Sequence, residues 1–88
     1  DNEYYIVDLL DAYCKTVGKN LPGADNEALA AEAERVAGMM TEGQLRRHSF
    51  KLMYMYMTLS VHTADTEKRK EYDRRAEYYK KIKFYPIL

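Results

Sequence analysis

Tryptophan is absent from this 88-residue chain, cysteine occurs once, proline twice and glycine four times. A single cysteine forms no internal disulfide, so the fold must rest on packing, and a reducing compartment, cytoplasmic or organellar interior, is the expected setting. The scarcity of proline and glycine leaves room for long helices and only one evident loop, Lys19 to Asn26 around Pro22-Gly23. The longest run without Asp, Glu, Lys or Arg, Leu52 to Ala64, is thirteen residues, too short for a transmembrane segment. The start lacks the apolar core of a signal peptide, and its opening Asp in place of Met is expected of a processed or trimmed chain. A chain of this length makes one domain with a modest core and little room for a deep substrate pocket.

Motifs of catalysis are missing too. The sequence has no phosphate-cradling glycine loop, no paired-carboxylate motif and no HExxH. Ser49 beside His48 is sequence adjacency, whereas a triad requires groups that meet in space. Cys14, with no histidine near it on its helix, reads as a small buried hydrophobe. His48 and His62 lack a second ligand pair at metal spacing. The expectation is therefore no enzyme, no cofactor and no metal.

Charge is balanced overall, with 14 basic and 14 acidic residues, but it is unevenly distributed. Residues 1–44 hold nine acids and three bases; residues 45–88 hold eleven bases and five acids. Such a dipole in sequence can steer association with a charged partner or with a second copy of the chain. Arg46, Arg47 and Lys51, then Arg69, Arg74, Arg75 and their lysine neighbours, form the basic half, but five acids interleave with them. With a sequence pI near 6.9, nucleic acid is not the expected partner.

Apolar spacing predicts four helices. Ile6, Leu9, Leu10, Tyr13 and Val17 line one face of a helix near 3–17, which Gly18 should stop. Asp25 or Asn26 can cap a second, near 27–40, whose stripe of Leu29, Ala33, Val36, Ala37 and Met40 is mostly small and invites close approach. Gly38 and Gly43 should bracket its exit. Thr41 and Gln44 match a capping box for a third helix near 44–61. That segment is ambiguous: LMYMYMTL is apolar all round, as in a helix surrounded by others, yet Met53, Met55 and Met57 alternate with Tyr54, Tyr56 and Thr58 as in a strand. Helix is the better reading, because a lone strand would have no pairing partner in this chain. Thr63 or Asp65 opens a fourth, near 67–84, with Tyr72, Ala76, Tyr79 and Ile82 inward and the pairs Glu71–Arg75 and Glu77–Lys81 at helical spacing. The predicted fold class is all-α, a small four-helix bundle with an apolar C-terminal tail at 85–88.

The string TADTEKRKEYDRR, Thr63 to Arg75, resembles the closing segment of J domains, where a helix ends near an Asp-Pro-Glu-Lys-Arg turn and the chain proceeds to a Tyr-Asp. Phe50 and Met53 match that family's apolar third helix, and Tyr4-Tyr5 with Leu9 its opening. Thr66 stands where the family has Pro, and the His-Pro-Asp tripeptide that engages an Hsp70 is missing. Helix two is acidic where the family's is basic. The resemblance implies at most a degenerate J-like co-chaperone or regulator that does not stimulate Hsp70.

Nine Tyr, two Phe and five Met exceed the needs of one small core, and both tyrosine and methionine favour binding surfaces. The function expected from sequence is a non-catalytic protein–protein interaction or assembly subunit of a larger complex, with self-association among its outcomes. A small phage or viral assembly or inhibitor protein is a further alternative. The residues expected to carry contact are Phe84, Tyr85, Ile87 and Leu88 at the tail, Tyr54 and Tyr56 in the third helix, and Arg69, Arg74 and Arg75 in the fourth.

Overall fold

A computed structural model of the chain describes residues 2–84 as four α-helices: α1 (Asn2–Lys19), α2 (Asn26–Ala37), α3 (Glu42–His62) and α4 (Thr66–Phe84). No strand occurs among the described residues, so the alternation around Met53–Met57 is a helix and not a strand. Tyr85, Ile87 and Leu88 lie outside the described residues, and of Phe84 only the backbone is described.

The ends are set by local chemistry. Gly18 does not stop α1; the helix runs one residue further, and Asn20 turns the chain at φ 48° with its N–H donating to the Val17 carbonyl. Asn is one of the few residues with a side chain that tolerates this left-handed conformation. Asp25 caps α2 by accepting from the Ala28 N–H at 3.0 Å. That helix stops at Ala37, three residues before the Met40 expected from the apolar stripe. The N–H groups of Met39 and Met40 reach back only three residues, to Val36 and Ala37, and so tighten the chain into a turn. Gly43 lies inside the first turn of α3, not at the exit of α2. The capping box forms as expected: Thr41 accepts from the Gln44 N–H, and the Gln44 side chain accepts from the Thr41 N–H. Asp65 caps α4 through the N–H groups of Glu67 and Lys68.

Long-range pairs give the topology. Asp11 in α1 meets Lys51 in the first half of α3 at 3.1 Å, and Glu27 in the first turn of α2 meets Lys68 in the first turn of α4 at 2.6 Å. Asn20 just after α1, Asn26 and Glu27 at the start of α2, Leu59 and His62 at the end of α3 and Lys68 at the start of α4 line one pocket, so α1 and α3 run one way and α2 and α4 the other, an up-down-up-down bundle. The core joins Leu10, Cys14 and Val17 of α1, Ala30, Ala33, Val36 and Ala37 of α2, Leu52, Met55, Tyr56 and Leu59 of α3, and Ala76 and Tyr79 of α4. The small residues of α2 let its backbone lie close to α1, as the stripe predicts.

The bundle is asymmetric. Helix α3 approaches all three others, whereas no Cα of α4 comes within 8 Å of α1 or α2. Helices α1 and α4 thus flank α3 on opposite sides, and the molecule is flat, 36 × 29 × 16 Å. This corrects the expectation that α3 is surrounded: one of its faces stays open.

Candidate functional site

Two regions of α3 collect the side chains that could act on something else. The first is the seam where α4 comes nearest to α2. Their backbones stay apart, and polar side chains bridge the space. Glu34 of α2 is the hub. Its carboxylate accepts from the hydroxyls of Tyr56 on α3 and Tyr79 on α4, and pairs with Arg75 Nη1 at 3.1 Å. Arg75 also donates to the Tyr56 hydroxyl at 3.3 Å and to Glu71 at 2.7 Å, and its guanidinium stands 5.7 Å from the centre of the Tyr56 ring. Tyr56 and Tyr79 lie nearly parallel with ring centres 6.1 Å apart, and Tyr72 stacks with Tyr56 at the same spacing, its ring inclined by 29°.

Burial first, then the neighbouring Glu34 charge, pushes the phenols of Tyr56 and Tyr79 far above the ordinary tyrosine value. The bond to Glu71 leads the causes that raise Arg75, and the bond to Arg75 leads those that lower Glu71. Beside the hub a cleft of about 350 Å³ is lined by Glu27, Ala30, Glu34, Glu71, Tyr72 and Arg75, among others. Glu34 and Glu71 are engaged with Arg75 and Glu27 with Lys68, so the arrangement ties helices together.

The second region is the open face of α3. Phe50, Tyr54, Met57 and Val61 are 37%, 58%, 46% and 75% exposed. Their spacing of four, three and four residues draws one stripe along a helix. Shallow clefts border it on both sides. One, of about 280 Å³, lies towards α1 and is lined by Asp11, Cys14, Lys15, Phe50, Tyr54 and Met55 among others. The other, about 290 Å³, lies towards α4 between Met53, Met57, Asp73, Ala76, Glu77 and Lys80.

The residues singled out from sequence divide between these regions. Tyr54 is on the open stripe. Tyr56 is buried at 3% exposure and bonds inward to Glu34, so it offers no surface to a partner. Arg75 belongs to the hub, Arg74 pairs with Glu71, and Arg69 donates to the Thr63 carbonyl at the end of α3 at 2.7 Å. All three arginines therefore hold contacts within the chain. Of the two spaced pairs on α4, Glu71–Arg75 closes at 2.7 Å. Cys14 is buried, and burial pushes its thiol up to about 12, which keeps it protonated and inert at neutral pH. Phe50, Met57 and Val61 were not among the expected contact residues, although their spacing with Tyr54 was the available signal; Glu34 gave none, since an acid beside Glu32 and Arg35 in an alanine-rich helix reads as solvated. The string Thr63 to Arg75 forms the α3–α4 corner and the first half of α4.

Among the described residues, no three His, Cys, Asp or Glu side chains gather as a metal site, and no helix is long and apolar enough to cross a membrane. No family model, curated protein or solved structure matches this chain.

Proposed function

We propose that the chain is a non-catalytic interaction or assembly module that presents the open face of α3 to a protein partner. The observation that carries this reading is the exposed stripe of Tyr54, Met57 and Val61 on a helix whose opposite side, Leu52, Met55, Tyr56 and Leu59, is buried. Exposed large side chains scattered singly need no explanation, but three or four in a row on one helix face, bordered by clefts, have the form of a helix-docking groove. Tyrosine and methionine are suited to such a face, tyrosine through apolar area with a polar tip and methionine through an adaptable shape. The non-catalytic half of the reading draws support from Cys14, held protonated by burial, and from the hub, whose carboxylate already takes two hydroxyls and an arginine.

The test is a photo-crosslinking side chain placed at Tyr54 and, as control, at exposed Lys70 on α4. In extract of the native source, the adduct identified by mass spectrometry should be a defined protein at position 54 and not at position 70. Indistinguishable adducts from the two positions would refute the proposal.

A further inference from the structure

We infer that the partner on the open face of α3 is a second copy of the chain, packed as a parallel two-fold pair with α3 beside α3 and α1 of each copy against α4 of the other. This rests on the interaction reading above and names its partner. The argument is one of symmetry and charge. When a two-fold axis brings this face against itself with the two α3 helices aligned along each other, two arrangements exist. If the two α3 helices run antiparallel, α1 meets α1 and α4 meets α4. If they run parallel, α1 meets α4.

The apolar stripe alone does not choose between them. Phe50 and Val61, and likewise Tyr54 and Met57, are equally far from a midpoint between Met55 and Tyr56, so apolar side chains meet apolar side chains either way. The charged flanks do choose. Lys15 on α1 is 71% exposed and pairs with Asp11 of its own helix at 3.0 Å; since Asp11 also meets Lys51, Lys15 lies one turn further along, beside Tyr54 and Met55, at the level of the midpoint. Glu77 on α4 shares the opposite cleft with Met53 and Met57 and is exposed, at the same level. In the antiparallel pair, a residue at the midpoint faces its own counterpart, so Lys15 meets Lys15 and Glu77 meets Glu77. In the parallel pair, Lys15 of each copy faces Glu77 of the other, twice over. Asp11, one turn before Lys15 and in the cleft with Phe50 and Lys51, then faces the side of α4 that carries Lys80. The antiparallel pair sets Lys15 against Lys15 and Glu77 against Glu77, and only Asp73 facing Lys80 offsets this, whereas the parallel pair sets Lys15 against Glu77 and Asp11 against Lys80 with no such like-charge contacts. The imbalance between an acidic first half and a basic second half of the chain works in the same direction.

The size of the face is sufficient. The broad side of a molecule of 36 × 29 Å has, as an ellipse, an outline of roughly 800 Å², so a pair that covers most of that side reaches the scale of a stable interface, roughly 800 Å² per partner.

The experiment has two stages on the full chain. Sedimentation of the purified protein at about 200 μM should show a dimer. Tyr54→Glu should weaken it at least 100-fold with an unchanged far-UV spectrum; Lys15→Glu should weaken it about tenfold, and Glu77→Lys in the same chain should restore it. With Cys14→Ala, the single variant Val61→Cys should then form a Val61-to-Val61 disulfide under mild oxidant. In the antiparallel pair those positions lie about 16 Å apart, because Val61 is opposite Phe50, and no such bond could form. A monomer at that concentration overturns the inference, as does a dimer that links Phe50→Cys only to Val61→Cys in a mixture of the two variants. If the chain is monomeric while position 54 still crosslinks a different protein, the second copy is wrong and the interaction reading stands. If both experiments are negative, both readings fall.

Discussion

Tyr54 and Tyr56 are two residues apart on one helix and lead opposite lives. About 200° separates them around α3, so Tyr56 points into the seam with α2 and α4 while Tyr54 stands on the open face. The inner tyrosine is held by a carboxylate, an arginine and two stacked rings; the outer one is 58% exposed. The comparison shows how one apolar run serves two purposes. On the inner side the hydroxyl is a tie between helices whose backbones do not touch. On the outer side the same residue type contributes surface.

Alkaline pH should break the inner region with the largest effect. The Cys14 thiol and the Tyr56 and Tyr79 phenols all have folded values raised above their unfolded ones, so the unfolded chain releases these protons first. Stability is then fully present below about pH 9 and declines as pH rises, by about 1.4 kcal/mol per pH unit for each group that has passed its unfolded value. Thermal melts should be level between about pH 7 and 8.5 and fall steeply from about pH 10; Cys14→Ala should delay the onset by about one pH unit. A melting temperature that stays level to about pH 11 would contradict the burial of these groups.

Truncating each side of α3 sharpens the contrast. Leu52, with no exposed surface, should cost about 3 kcal/mol on replacement by Ala, read by urea unfolding. Tyr54→Ala, on the open face, should change stability by less than about 0.5 kcal/mol while removing association. Equal costs would mean that the two faces are not distinct.

Removing the hub is next in size. Glu34→Ala deprives the Tyr56 and Tyr79 hydroxyls of their acceptor and Arg75 of a partner, at a cost of about 2 kcal/mol, since a buried donor left unmatched loses its full hydration. Tyr79→Phe, which removes one donor and leaves Glu34 with the others, should cost about 1 kcal/mol. A double variant of the two should cost less than the sum of the singles, because both remove the same bond.

Much of the fold was legible because its signals are local. The capping box at Thr41 and Gln44, the cap at Asp25 and the inward stripe of Ala76 and Tyr79 depend on neighbours within one or two turns, and each is as the spacing implies. The errors were at helix exits. Gly18 and Gly43 each lie within a helix, and an isolated glycine costs only about 1 kcal/mol there, which packing overrides. The site was far less legible. Tyr56 was grouped with Tyr54 as contact surface, because the helical period says only that they face apart and not which of them faces in. Arg75 was read as surface charge, because its partner Glu34 is 41 residues away in sequence.

The sequence by itself determined that this chain is four helices with an acidic first half and a basic second half, since helix propensity, caps and charge are properties of short segments. Only the tertiary structure decided which side of α3 is the inside. Its run from Leu52 to Leu59 is apolar in nearly every direction, so periodicity assigns no face. The choice follows from where α1, α2 and α4 pack: α4 stays more than 8 Å in Cα distance from α1 and α2, Glu34 finds the hydroxyls it binds, and Tyr54, Met57 and Val61 are left facing outward.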